Sequence, residues 1–151
     1  YLVLQTLGLL DRWVGLVLPY GTFTLPLAIW VLTGFFRQIP DEIYRASLVD
    51  GCTPFQAFYK VMLPLAAPGL GTTAIMVFVF AWNELLWALT FTASPAHRTV
   101  PASIALFAAE HREPWGEIAA ASVIATLPLV VVTLLFQRAV ISGLTAGAVK
   151  G

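Results

Sequence analysis

Three stretches without a formal charge constrain this chain more than anything else in it. Trp13 to Phe36 holds no ionisable side chain except Tyr20. Val61 to Asn83 holds none, and beyond Glu84 the chain stays uncharged to Ala96. Ile118 to Gln137 is equally clean. A helix needs about 20 apolar residues, at about 1.5 Å each, to cross about 30 Å of hydrocarbon, and all three stretches are long enough. Backbone groups in lipid must be satisfied within the segment, so these are helices. A membrane barrel would instead show segments of about 10 residues with alternating polarity, and none occurs. The expected fold class is an all-α membrane protein, a transmembrane helix bundle with spans near residues 14–36, 66–92 and 118–138.

Composition agrees. Of 151 residues 59% are hydrophobic and 11% charged, against about 25% charged in an average soluble domain, and the mean hydropathy is +0.85. A net charge of +0 supplies no basic field for nucleic acid. The single Cys52 excludes an internal disulfide framework and a cysteine metal cluster. No signal peptide is visible, and the chain opens at Tyr1 without a methionine, so it is expected to be the C-terminal part of a longer polypeptide.

Lys and Arg set the orientation. Arg37, Arg45, Lys60, Arg138 and Lys150 fall on one side, and Arg12, Arg98 and Arg112 on the other with Glu110, Glu113 and Glu117. The positive-inside rule puts the connection 37–64 and the tail 139–151 in the cytoplasm, and the loop 93–117 outside.

The connection 37–64 is the most polar part of the chain. Pro40-Asp41-Glu42 starts a helix with acidic groups at its positive end, and Gly51 is a natural left-handed stop. Thr53-Pro54-Phe55-Gln56 combines a T-x-x-Q capping box with proline at the first helical position. A second short helix follows, carrying Phe55, Phe58 and Tyr59 to Leu63-Pro64. Such an elbow either folds onto its own membrane domain or inserts its aromatic residues into a partner.

Gly51 is followed after nine residues by Val61-Met62-Leu63-Pro64. This resembles the cytoplasmic signature of binding-protein-dependent ABC transporter permeases, E-A-A, three residues, G, nine residues, I-x-L-P, and Asp50-Gly51 fits its sugar-type form. The family's E-A-A falls on Arg45-Ala46-Ser47, so a residue of opposite charge replaces the glutamate. Leu25-Pro26-Leu27, Ala81-Trp82-Asn83-Glu84, Trp115-Gly116 and the ending Gly143-Leu144-Thr145-Ala146-Gly147 resemble the carbohydrate branch, of maltose and trehalose type. The resemblance covers nearly the whole chain. It implies a type I importer permease with no catalytic residues and no cofactor of its own, ATP and Mg being held by a partner. It also implies ATP-binding subunits, a second related permease and an extracytoplasmic sugar-binding protein as partners, with lipid around the spans, in the bacterial cytoplasmic membrane. Coupling to the ATPase then falls on Glu42, Arg45, Ala46, Asp50, Gly51, Phe55, Phe58, Leu63 and Pro64, and a contact from the tail on Thr145 and Lys150. A frayed terminus is the other reading of that tail.

Glu84 lies inside the second uncharged region. An acid there costs about 2.5–3.5 kcal/mol to insert and must face protein or water. Asn83, Trp87 and Thr90 share a helical stripe. Asn83, Glu84 and Trp87 are therefore expected either to line a sugar pathway, through hydrogen bonds and an indole face, or, with Glu84 capping or bridging a neighbouring span or the partner permease, to leave Trp82 and Trp87 in the aromatic belt. A metal site is not expected, since His97 and His111 stand fourteen apart without neighbouring ligands. Two other classes remain open on residues alone. A secondary transporter would need internal repeats and discontinuous helices; a membrane scaffold would need no acid within a span.

Overall fold

Every described element is helical. The computed structural model describes residues 1–110 and 114–146, with side chains for 1–109 and 114–136. The helices are α1 (Leu2–Thr6), α2 (Trp13–Phe36), α3 (Asp41–Val49), α4 (Pro54–Ala57), α5 (Leu63–Leu65), α6 (Ala67–Asn83), α7 (Leu86–Phe91), α8 (Val100–Glu110) and α9 (Trp115–Ala146). A π-turn, Phe58–Met62, joins α4 to α5, and a 3₁₀ turn, Pro95–His97, follows α7.

Two helices are long and apolar enough to cross a membrane, Trp13–Phe36 and Trp115–Phe136. The middle region is different. Instead of one helix over 66–92, α6 has 17 residues and stops at Asn83, and α7 starts afresh at Leu86. A 70° bend also separates Pro54–Leu65 from α6. Its cause is local: Pro68 has no N–H to give the Pro64 carbonyl, and Ala66 takes φ −81°, ψ 0°.

Threonines in the apolar helices bond their own backbone, as a medium without water favours. Thr24 donates to the Tyr20 carbonyl at 2.9 Å, Thr33 to Ile29 at 2.6 Å, Thr73 to Gly69 at 2.8 Å and Thr126 to Ser122 at 2.8 Å. Large apolar side chains meanwhile point outward along α2 and α9, among them Phe23, Ile29, Trp30, Val123, Leu134 and Leu135. A water-soluble surface does not look like this; lipid or partner helices cover it.

The chain divides into two compact units, Tyr1–Leu25 with Phe78–Leu134, and Pro26–Val77 with the chain from Leu135. In the first, Leu4, Leu16 and Phe91 are buried, with Leu9, Leu10, Tyr20 and Trp87 packed around them. The Trp82 indole N–H donates to the Ala125 carbonyl at 3.1 Å. That acceptor is next to Ile124, whose carbonyl Pro128 leaves without a helical donor. In the second unit, the Phe35 ring lies where a side chain on Gly69 would have to go, so α2 and α6 meet with no room for a methyl group. Gly69→Leu is therefore expected to overpack this contact, at a cost of about 1–3 kcal/mol. The thermal midpoint of the purified full-length permease, compared with that of Gly71→Leu, which meets nothing within 4 Å, checks it.

Candidate functional site: the elbow and the broken helix

The elbow follows local chemistry residue by residue. Asp41 and Glu42 occupy the first turn of α3. At its other end Gly51 adopts φ +89°, and two bonds close the turn: Cys52 N–H to the Ser47 carbonyl at 3.0 Å and Gly51 N–H to Leu48 at 3.1 Å. This is the Schellman arrangement, which favours glycine at that φ. Both arms of the capping box are present. Gln56 N–H donates to Thr53 Oγ1 at 3.3 Å, and Thr53 N–H donates to Gln56 Oε1 at 3.0 Å. The reversal between the helices is thus fixed at both ends by covalently local groups.

The expected coupling residues then separate by environment. Glu42, Arg45, Ala46, Asp50 and Gly51 are exposed on α3 and its C-terminal turn. Phe55 is 76% exposed with no ring contact among the described residues, whereas Phe58 stacks on Phe36 at 6.1 Å and 23°. Leu63 is half-buried and Pro64 exposed, both in α5. Val49 and Tyr59 add apolar surface beside Phe55 in sequence, at 86% and 63% exposure. Phe58, itself 45% exposed, therefore links the elbow to the end of α2, while Phe55 and Tyr59 are the elbow aromatics that present most of their surface. The π-turn at Phe58–Met62 is the point where the elbow departs from α-helical register. Of the tail residues, Thr145 belongs to α9 by its backbone, and Lys150 lies outside the described residues.

Glu84 occupies the break between α6 and α7. Its carboxylate accepts the N–H of Trp87 at 2.9 Å and of Ala88 at 3.3 Å, so it caps the restarted helix. Asn83 Nδ2 donates back to the Val79 carbonyl at 2.7 Å, closing the end of α6. The Tyr20 hydroxyl is buried with no hydrogen-bond partner among the described residues. Trp87 is held between Phe23 at 6.0 Å and Phe91 at 5.3 Å. The three residues expected along a substrate pathway thus gather around one discontinuity, with the Glu84 carboxylate and Asn83 Nδ2 engaged by backbone.

One cluster has no counterpart in the sequence expectations. Asp11, at φ +56°, accepts the N–H groups of Ala93 and Ser94 through Oδ1, both at 2.9 Å. Its own N–H donates to the Phe91 carbonyl at 2.8 Å. Ser94 Oγ and His97 Nδ1 are hydrogen-bonded at 3.0 Å, and His97 Nδ1 is 3.5 Å from Asp11 Oδ1. The bonds from Ser94 and Ala93 hold the Asp11 carboxyl well below the usual carboxylate range. This clasp ties the start of α2 to the end of α7 across 82 residues of sequence.

A polytopic helical membrane protein with a well-made polar elbow is the class these features define. The family model for the binding-protein-dependent transport system inner membrane component matches residues 2–145, and the chain belongs to that family. It is 54% identical over 149 residues to the trehalose transport system permease protein SugB of Mycobacterium tuberculosis, covering 97% of this chain and 54% of that protein. It is 46% identical to the trehalose/maltose transport system permease protein MalG of Thermococcus litoralis, over 98% of this chain and 54% of that protein. The sulfoquinovosyl glycerol transport system permease protein SmoH of Agrobacterium fabrum is 44% identical, over 99% of this chain and 52% of that protein. The chain spans about half the length of these relatives. Membership decides against the secondary transporter, even though α6 and α7 form the kind of discontinuous helix that class would need.

Two predictions follow from the geometry of the first unit. Removing the Glu84 cap strands two N–H groups, so Glu84→Ala should destabilise the full-length permease by about 1–3 kcal/mol, while Glu84→Gln, which keeps an acceptor, should cost less. Paired thermal midpoints and uptake rates check this, and equal loss of uptake in two equally stable variants would assign the charge itself to transport. Because the Asp11 carboxyl is lowered, its contribution is present above the unfolded value of about 3.9 and is lost as pH falls below it. Asp11→Asn, which tolerates the same φ, should flatten that acid-side decline in thermal stability.

Proposed function

We propose that this chain is the permease portion of an ATP-driven carbohydrate importer, and that its elbow receives the motion of an ATP-hydrolysing subunit. The observation that carries the reading is the elbow itself: a rigidly closed helix pair with Val49, Phe55 and Tyr59 exposed, on the side that the Lys and Arg bias makes cytoplasmic. Phe58 links it to α2 through Phe36, so displacement of the elbow moves the end of a span. Phe55, with Glu42, Arg45, Ala46, Asp50 and Gly51 around the turn, meets the ATPase; Leu63 and Pro64 carry the chain from the elbow toward α6. Arg45 in place of the motif's glutamate calls for an acidic group on that ATPase. Thr145 and Lys150 are the contacts proposed for the tail.

The cargo is a sugar, a disaccharide of the trehalose or maltose kind before others, which the names of the relatives at 54% and 46% identity support. The relative named for sulfoquinovosyl glycerol, at 44%, keeps other sugar conjugates within the class. In this reading ATP and Mg²⁺ are bound by the ATPase, a second related permease completes the pathway, and an extracytoplasmic sugar-binding protein delivers the cargo.

Full-length permease purified gently from membranes should bring an ATP-hydrolysing subunit with it. Gly51→Pro, which cannot adopt φ +89°, should abolish that association or uncouple hydrolysis from uptake while membrane insertion is unchanged. Uptake of a labelled disaccharide panel by cells with and without the subunit then names the sugar; a permease that carries sugar with no ATPase present would refute the proposal.

A further inference from the structure

The first unit contains a cavity of about 420 Å³ whose largest walls are Trp13, Phe78 and Trp82. Its polar side is made by two consecutive residues, Arg98 and Thr99. Arg98 Nη2 donates to the Ala93 carbonyl at 2.8 Å, which anchors the guanidinium on one edge. Its Nε and the Thr99 hydroxyl are buried with no hydrogen-bond partner among the described residues. No described carboxylate pairs with Arg98, since the ion pair present joins His97 to Asp11. Among the described residues, then, the cation and the hydroxyl on this wall of an apolar chamber have no acceptor that carries negative charge.

We propose that this cavity is a binding site for an anionic phospholipid of the outer leaflet, with the phosphodiester at Arg98 and Thr99 and an acyl chain against Phe78 and Trp82. Three observations select this occupant. Trp13, 68% exposed, opens the apolar helix α2, the position that indoles take at the headgroup level. The cation bias places Arg98 on the outer side of the bilayer. A sugar, by contrast, needs a partner for each of several hydroxyls, and the Trp82 N–H that would serve one is committed to the Ala125 carbonyl. Phe78 and Trp82 lie 5.3 Å apart, ring to ring, a broad hydrocarbon surface suited to methylene groups.

The test uses the full-length permease, purified in a neutral detergent without a sugar headgroup and exposed to an equal mixture of phosphatidylglycerol and phosphatidylcholine with identical acyl chains. Native mass spectrometry should find phosphatidylglycerol retained about fivefold over phosphatidylcholine. Arg98→Gln should bring that ratio to about one. Arg98→Lys, which keeps the charge, should preserve most of it, and Arg37→Gln, in the other unit, should leave it unchanged. Ala96→Trp, which fills the cavity from an exposed position, should lower retention of both lipids and decides the matter should Arg98→Gln fail to fold. Equal retention by the wild type, an unaltered ratio in Arg98→Gln, unchanged retention in Ala96→Trp, or displacement of the lipid by inorganic phosphate or by trehalose at equal concentration would overturn the proposal.

Discussion

A backbone that crosses hydrocarbon has no water to fall back on, and the rest of this structure depends on that constraint. Where the helices run unbroken, threonines return their hydroxyls to carbonyls three or four residues back, as Thr22, Thr24 and Thr33 do within α2. Where a helix stops, a side chain takes over the freed groups. Glu84 accepts two N–H groups at the start of α7, and Asn83 bonds the last turn of α6. An acid in an apolar segment is costly unless protein groups surround it; here it removes two unsatisfied donors that would otherwise cost about as much. The discontinuity and the carboxylate stabilise one another.

The elbow obeys different rules because it is polar and mostly exposed. Its shape is set by Gly51, Thr53 and Gln56, each acting within a few residues, and does not wait for a partner to form. In the proposed reading the elbow transmits motion, and a compliant loop would absorb displacement. The attachment is aromatic: Phe36 against Phe58. Just along the same helix, Phe35 fills the space over Gly69. Within that unit the elbow is thus tied to α2 through Phe58 and Phe36, and α2 to α6 through Phe35 and Gly69.

Local grammar was legible in the sequence, and long-range partnership was not. The helix start at Pro40-Asp41, the stop at Gly51 and the capping box at Thr53 involve residues three or four apart, and each is present in the expected form. Hydropathy located the apolar regions, because lack of charge is itself a local property. The interruption at Glu84–Leu85 was missed: the choice between a straight helix through 66–92 and a capped restart turns on what the carboxylate bonds. Hydropathy counts Glu84 as a cost and is blind to the N–H groups of Trp87 and Ala88. Phe55 and Phe58 read alike as aromatic residues of one short helix, and only the position of Phe36 separates them. Asp11 offered no signal, since its partners Ala93 and Ser94 are ordinary loop residues more than eighty positions away.

Division of labour between the two elbow aromatics is the central claim, and site-specific photocrosslinking in membranes tests it most directly. With a benzophenone side chain at position 55 of the full-length permease, a nucleotide-hydrolysing subunit should be captured during active transport. The same group at position 58 should react mainly within the permease, because that ring lies against Phe36. Capture of no such subunit from position 55, or stronger capture from 58 than from 55, would contradict the account.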